Sequence, residues 1–77
     1  MAYNEEIILA NIRKRRLKVN YSQEFVAAEL GISQNAYSKI ELGYTKLTLF
    51  NFFGICEVLH IGSDKMLREY FEQVRRN

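Results

Sequence analysis

The sequence predicts an all-α fold, a compact bundle of five helices in one domain spanning residues 1–77. The chain contains no proline, which is unusual for a chain of loops and sheets. Apolar residues recur at steps of three and four, the period of helices with one buried face. Serine, threonine and glycine stand at the ends of these stretches, where helices are capped.

The first helix is expected over about residues 5–18. The stripe that follows the helical period consists of Ile8, Leu9, Ile12, Arg16 and Val19. The presence of Arg16 on this inward stripe predicts a carboxylate partner, because a buried charge without one is costly.

Two short helices are expected next. Ser22 is placed to cap the second, over residues 23–30, and Gly31 to end it in the left-handed conformation that glycine adopts most easily. Its inward residues are predicted to be Val26, Ala27 and Leu30.

The third helix is expected over residues 34–42, between a cap at Ser33 and a terminating Gly43. Ile32 lies in the turn before it and is expected to point inward.

Thr48 is placed to cap a fourth helix over residues 49–59. Its apolar residues are expected to form a core stripe, namely Leu49, Phe52, Phe53, Cys56 and Leu59.

A fifth helix is expected after Gly62 and Ser63, continuing to about residue 76, and the core of the domain is expected over residues 5–62. Its apolar stripe consists of Met66, Leu67, Tyr70, Phe71 and Val74. This is more than a terminal helix needs to cover four others, so it predicts a homodimer interface. The alternative is that the stripe packs within the same chain.

Composition excludes several classes of protein. With 48% hydrophobic and 26% charged residues, the chain is not disordered. No apolar run approaches a membrane span, and acids precede the first apolar stretch where a secretory signal has basic residues, so a cytoplasmic protein is expected. One cysteine excludes an internal disulfide, and Cys56 with His60 is too few ligands for zinc. No metal or cofactor is therefore expected.

Charge is distributed unevenly along the chain. Residues 12–46 contain seven basic and three acidic residues, hence +4, whereas residues 47–77 contain four of each. Such segregation is typical of proteins that bind a phosphate backbone, although a basic run is also found on ordinary solvated helices.

The stretch QEFVAAELGISQNAYSKIEL, residues 23–42, is the most informative. Two helices that cross steeply need a small residue at their contact and a turn that accepts positive φ, which Ala27 and Gly31 supply. Apolar inward positions are supplied by Val26, Leu30, Ile32, Tyr37 and Ile40. Together these features predict a DNA-binding helix-turn-helix rather than an ordinary helical hairpin.

Residues 12–67 resemble the phage repressor and Cro-like (XRE-type, lambda repressor-like) helix-turn-helix family of bacterial regulators, through YSQEFVAAELGISQNAYSKIELG and KLTL. The chain departs from the family pattern at Arg15, where leucine is common, and at Tyr37, where a smaller aliphatic is common. It departs again at His60, where glycine often ends the fourth helix. The Tyr37 ring can be buried if its hydroxyl finds a partner, and His60 can adopt positive φ.

The resemblance implies that the third helix enters the major groove of double-stranded DNA. The positions that correspond to base-reading residues are Gln34, Asn35, Ser38 and Lys39. Gln and Asn can pair with adenine, Lys with guanine and Ser with either. Simple solvent exposure is the alternative for Asn35 and Lys39.

The resemblance also implies a phosphate contact at Gln23, at the start of the second helix. Ser33 is placed to do the same at the third helix, and Tyr44, Thr45 and Lys46 to reach a phosphate on the other flank. Glu41 is where the family resemblance places the carboxylate for Arg16, which implies a bidentate ion pair.

These features favour a sequence-specific, dimeric transcriptional repressor that binds a palindromic operator and associates with the nucleoid. Alternatives on the same fold are a restriction–modification controller or an antitoxin-type autoregulator. An alternative of another class is a protein-interaction module on a helix-turn-helix scaffold. An enzyme is not expected, because His60 has no nucleophile or acid arranged around it. No small-molecule effector is evident.

Overall fold

A computed structural model describes residues 3–76 of the chain. Met1, Ala2 and Asn77, the ends of the predicted domain, lie outside the described residues. The described part is all-helical, as predicted. Its helices are α1 (Glu5–Lys18), α2 (Gln23–Leu30), α3 (Gln34–Leu42), α4 (Leu49–Val58) and α5 (Ser63–Arg76). None of them is long and apolar enough to cross a membrane.

The helix ends follow the predicted capping residues. The side-chain oxygens of Ser22, Ser33 and Thr48 each accept a hydrogen bond from the backbone N–H three residues on, at 3.0 to 3.1 Å. Gly31 and Gly43 adopt φ of 73° and 86°, the left-handed region in which other residues are strained. The boundaries of α2 and α3 are therefore encoded locally.

Two departures from the family pattern, His60 and Arg15, meet at the turn between α4 and α5. His60 adopts φ of 57° and closes the helix, as its tolerance for this region predicts. Arg15 of α1 reaches this turn: its Nε donates to the Leu59 carbonyl and its Nη2 to the His60 carbonyl, both at 2.9 Å. A cation thus satisfies carbonyl groups at the negative end of α4 and joins α1 to α4.

The core lies among all five helices. It consists of Leu9, Ile12, Val26, Ala27, Tyr37, Ile40, Phe52, Ile55, Cys56, Leu59 and Met66. Helix α1 packs against α3 and α5, α2 against α3 and α4, and α4 against α5. Helix α3 is therefore covered by α1 and α2 on one side only.

The structure corrects three expected core positions. Leu49 and Phe53 are exposed, because the buried face of α4 follows Phe52 and Ile55 at the helical step. Phe53, one residue after Phe52, is turned about 100° away from that face. Ile32 is also exposed in the turn before α3 instead of pointing inward.

The predicted dimer stripe on α5 is wrong for three of its five residues. Met66, Tyr70 and Val74 are buried within the chain, because this face of α5 packs on α1 and α4. The Tyr70 hydroxyl also accepts a hydrogen bond from the Asn4 backbone N–H at 2.7 Å. Leu67 is half-buried and only Phe71 is exposed, so most of the stripe serves the monomer core.

Candidate nucleic-acid interface

Helix α3 has one buried and one outward face. Tyr37, Ile40 and Glu41 point into the protein and are buried. The four residues predicted to read bases lie on the other side, where Gln34, Asn35 and Lys39 are exposed and Ser38 is half-buried. Their spacing of i, i+1, i+4 and i+5 puts them side by side on two successive turns. The result is one continuous polar face.

Leu42 lies on the same outward face and was not predicted. It follows Ser38 by four residues and Lys39 by three, and it is exposed. Helical spacing alone could have placed it there. An exposed leucine beside polar groups gives the end of this face an apolar contact, of the kind that recognises a thymine methyl.

Two of the predicted phosphate ligands lie at helix N-termini. Ser33 is exposed and its Oγ accepts the capping hydrogen bond from Ala36, which leaves its O–H proton free to donate. Gln23 is half-buried, and its Nε2 donates to Glu41 Oε1 at 3.4 Å. The second N–H of that amide remains for an anion at the start of α2.

The other predicted phosphate ligands follow α3 directly. Tyr44, Thr45 and Lys46 are all exposed. The backbone N–H groups of Tyr44 and Thr45 donate to the Lys39 carbonyl at 2.9 and 3.1 Å. These bonds hold the segment against the end of α3, so its position is fixed relative to the polar face.

Beneath the polar face lies a buried network centred on Glu41. Arg16 donates to it in a bidentate arrangement, from Nε at 3.0 Å and from Nη2 at 2.8 Å. The Tyr37 hydroxyl donates to Oε2 at 2.6 Å, which is the partner that its buried ring requires. Arg16 also donates through Nη1 to the Tyr21 carbonyl at 2.9 Å.

The charges in this network stabilise each other. Burial alone would raise the pKa of Glu41, but hydrogen bonds from Arg16 and Tyr37 outweigh it and lower that pKa below its ordinary value. The hydrogen bond to Glu41 raises the pKa of Arg16 in turn. Burial, followed by the bond to Glu41, raises the pKa of Tyr37, which stays protonated. The network therefore joins α1 to α3 as a charged pair and fixes the orientation of α3.

The basic residues of the first half of the chain do not share one surface. Lys14 and Lys18 each lie two positions from Arg16, about 200° around α1, and therefore point away from α3. With Lys65 and Glu69 of α5 they line a groove of about 210 Å³. The basic residues that cluster in the sequence therefore do not cluster on one surface of the fold. Positive charge at the polar face comes from Lys39, which belongs to it, and from Lys46 in the segment that follows α3.

Cys56 packs in the protein core, and His60 contacts Tyr21. Cys56 is buried, and burial raises the pKa of its thiol to about 11, so it remains neutral. The His60 Nε2 lies 2.9 Å from the Tyr21 hydroxyl. Within residues 3–76, no three His, Cys, Asp or Glu side chains come together as a metal site.

Comparison with known proteins agrees with this geometry. A family model described as helix-turn-helix matches residues 12–66, from the middle of α1 to the first turn of α5. Among curated proteins, none matches the chain significantly.

Proposed function

The chain belongs to the helix-turn-helix family of DNA-binding regulators of the phage repressor and Cro type, and from this premise we propose that it is a sequence-specific, dimeric transcriptional repressor. Helix α3 enters the major groove and α2 crosses the backbone, which is how this motif docks. Residues 1–77 act as one DNA-binding domain, since α1 and α5 both contribute to the core.

The observation that carries the proposal is the outward polar face of α3. Because Tyr37 and Ile40 occupy the buried side, the side chains of Gln34, Asn35 and Lys39 are left free to meet base edges. Amides present a donor and an acceptor together, which matches adenine, and an ammonium matches guanine. Ser38 lies among them and can bond to either kind of base.

Phosphate contacts position α3 in the groove. Gln23 and Ser33 supply them from helix N-termini, and the segment Tyr44, Thr45 and Lys46 supplies them after α3. Glu41 supports phosphate binding and the placement of α3 indirectly, because it accepts hydrogen bonds from Gln23 and from Arg16.

A dimer places two α3 helices about 34 Å apart, so that they reach successive major grooves on one side of a palindromic operator. A protein bound in this way covers the promoter and represses transcription by exclusion.

The salt dependence of binding tests the DNA contact. We expect log affinity for duplex DNA to fall linearly with log salt concentration. The magnitude of that slope should drop by about 1.8 for the dimer, because Lys46→Ala removes one phosphate contact from each of the two copies. Lys14→Ala is the matched control, because Lys14 points away from α3, and it should leave the slope unchanged. Binding that does not depend on salt, or equal effects of both variants, would contradict the proposal and favour a protein-interaction module.

A further inference from the structure

We propose that two copies of this chain meet through an exposed apolar face of α4, formed by Leu49, Phe50 and Phe53 and named here the α4 patch. This inference rests on the proposed function, which requires a dimer, and it assigns the surface that joins the two copies. The patch replaces the α5 stripe, most of which is buried within one chain.

The three side chains of the α4 patch form one continuous surface. Leu49 is 62% exposed, Phe50 84% and Phe53 44%. Phe53 follows Phe50 by three residues and Leu49 by four, so the three are neighbours on the helix surface. The side of α4 next to the patch is occupied by Phe52, Ile55 and Cys56, which are buried in the core.

The composition around the α4 patch sets it apart. No charged residue occurs in residues 47–56, whereas surface helices of a monomer carry charges on their solvent face. Two other exposed rings meet rings within the chain: Phe25 packs on Tyr21 in a tilted arrangement at 4.5 Å, and Tyr3 meets Phe71 at 6.2 Å. The exposed ring of Tyr44 belongs to the segment proposed to contact phosphate. For its part, Phe50 is left almost entirely open to water.

The area of the α4 patch fits the core of a dimer interface. At about 200 Å² for an aromatic side chain, and somewhat less for leucine, its exposed fractions leave roughly 350 Å² of apolar surface. A standard interface covers about 800 Å² on each partner, of which roughly 60% is apolar, hence about 480 Å². The patch therefore supplies most of the apolar contact that a second copy needs.

A second copy is the occupant that suits this chemistry. A two-fold contact pairs a surface with itself, and an uncharged apolar surface is complementary to itself without any like-charge repulsion. The α4 patch also begins three residues after Lys46, next to the segment that follows α3. Contact there joins the two copies close to their proposed DNA-facing segments.

Sedimentation of charge variants tests this surface. Phe50→Glu should weaken dimerisation at least 100-fold, because it would place two carboxylates in an apolar contact. Phe50→Leu keeps the contact apolar and should weaken it less than 10-fold. Leu17→Glu is the matched control: Leu17 is 50% exposed on α1, and the variant should dimerise like the original chain. Far-ultraviolet circular dichroism checks that each variant is folded.

Two outcomes would overturn the inference: an original chain that is monomeric with and without DNA, or a Phe50→Glu variant that dimerises like the original chain. Equal dissociation of Leu17→Glu would also overturn it. The DNA-binding proposal is tested separately, by binding to a duplex that contains a single half-site, and its failure would show as a lack of that binding. That binding needs no dimer, so Phe50→Glu should retain it even when the dimer is lost.

Discussion

Removal of the Glu41 carboxylate should severely destabilise the fold. Glu41→Ala leaves Arg16 without its bidentate partner and Tyr37 without the acceptor of its hydroxyl. A buried charge that loses its partner costs about 3 to 5 kcal/mol. The lower end applies here, because Arg16 keeps its bond to the Tyr21 carbonyl. For a domain of this size, 3 kcal/mol lowers Tm by at least about 12 °C.

The assay is thermal and urea unfolding followed by circular dichroism, with two reference variants. Glu41→Gln keeps an acceptor for Tyr37 without the charge and should cost less, about 1 to 2 kcal/mol. Glu29→Ala removes an exposed carboxylate of α2 and should change the free energy of unfolding by less than about 0.5 kcal/mol. If Glu41→Ala unfolds within 1 °C or so of the original chain, the buried pair does not hold α1 to α3.

Two further predictions concern pH and the end of α4. The folded protein lowers the pKa of Glu41. The stabilisation from its charge is therefore complete above the ordinary carboxyl pKa of about 4.3 and is lost as pH falls through the lower folded value. In urea unfolding from about pH 7 to pH 3, the difference in stability between the original chain and Glu41→Gln should shrink only below about pH 4.3, and a constant difference would contradict this. Arg15→Ala removes two hydrogen bonds to carbonyl groups at the end of α4 and should lower the free energy of unfolding in urea by about 1 to 2 kcal/mol. Arg13 is an exposed neighbour, and Arg13→Ala should lower it by less than about 0.5 kcal/mol. Equal values for the two variants would refute the role of Arg15.

Features with local causes could be predicted from the sequence. The ends of α2 and α3 are set by Ser22, Ser33, Gly31 and Gly43, whose effects depend on a few neighbouring residues. The outward face of α3 follows from the spacing of its polar residues around the apolar Tyr37 and Ile40.

The faces of α4 and α5 were harder to predict for physical reasons. Residues 49–56, LFNFFGIC, are apolar on nearly all sides, so helical periodicity cannot select which side is buried. The stripe on α5 indicates that a face is covered, but not whether the same chain or another copy covers it. The hydrogen bonds from Arg15 go to backbone carbonyls more than 40 residues away, and backbone acceptors leave no signature in a sequence.

Selection of bound sites from random duplexes tests the central claim, that the outward face of α3 reads bases, most directly. The original chain should enrich a palindrome whose half-sites are about one DNA turn apart. Asn35→Ala should relax the preference at one position in each half-site, by about 1 to 3 kcal/mol of discrimination, and leave the others intact. Enrichment of no sequence by the original chain, or the same preferences at every position with Asn35→Ala, would contradict the account.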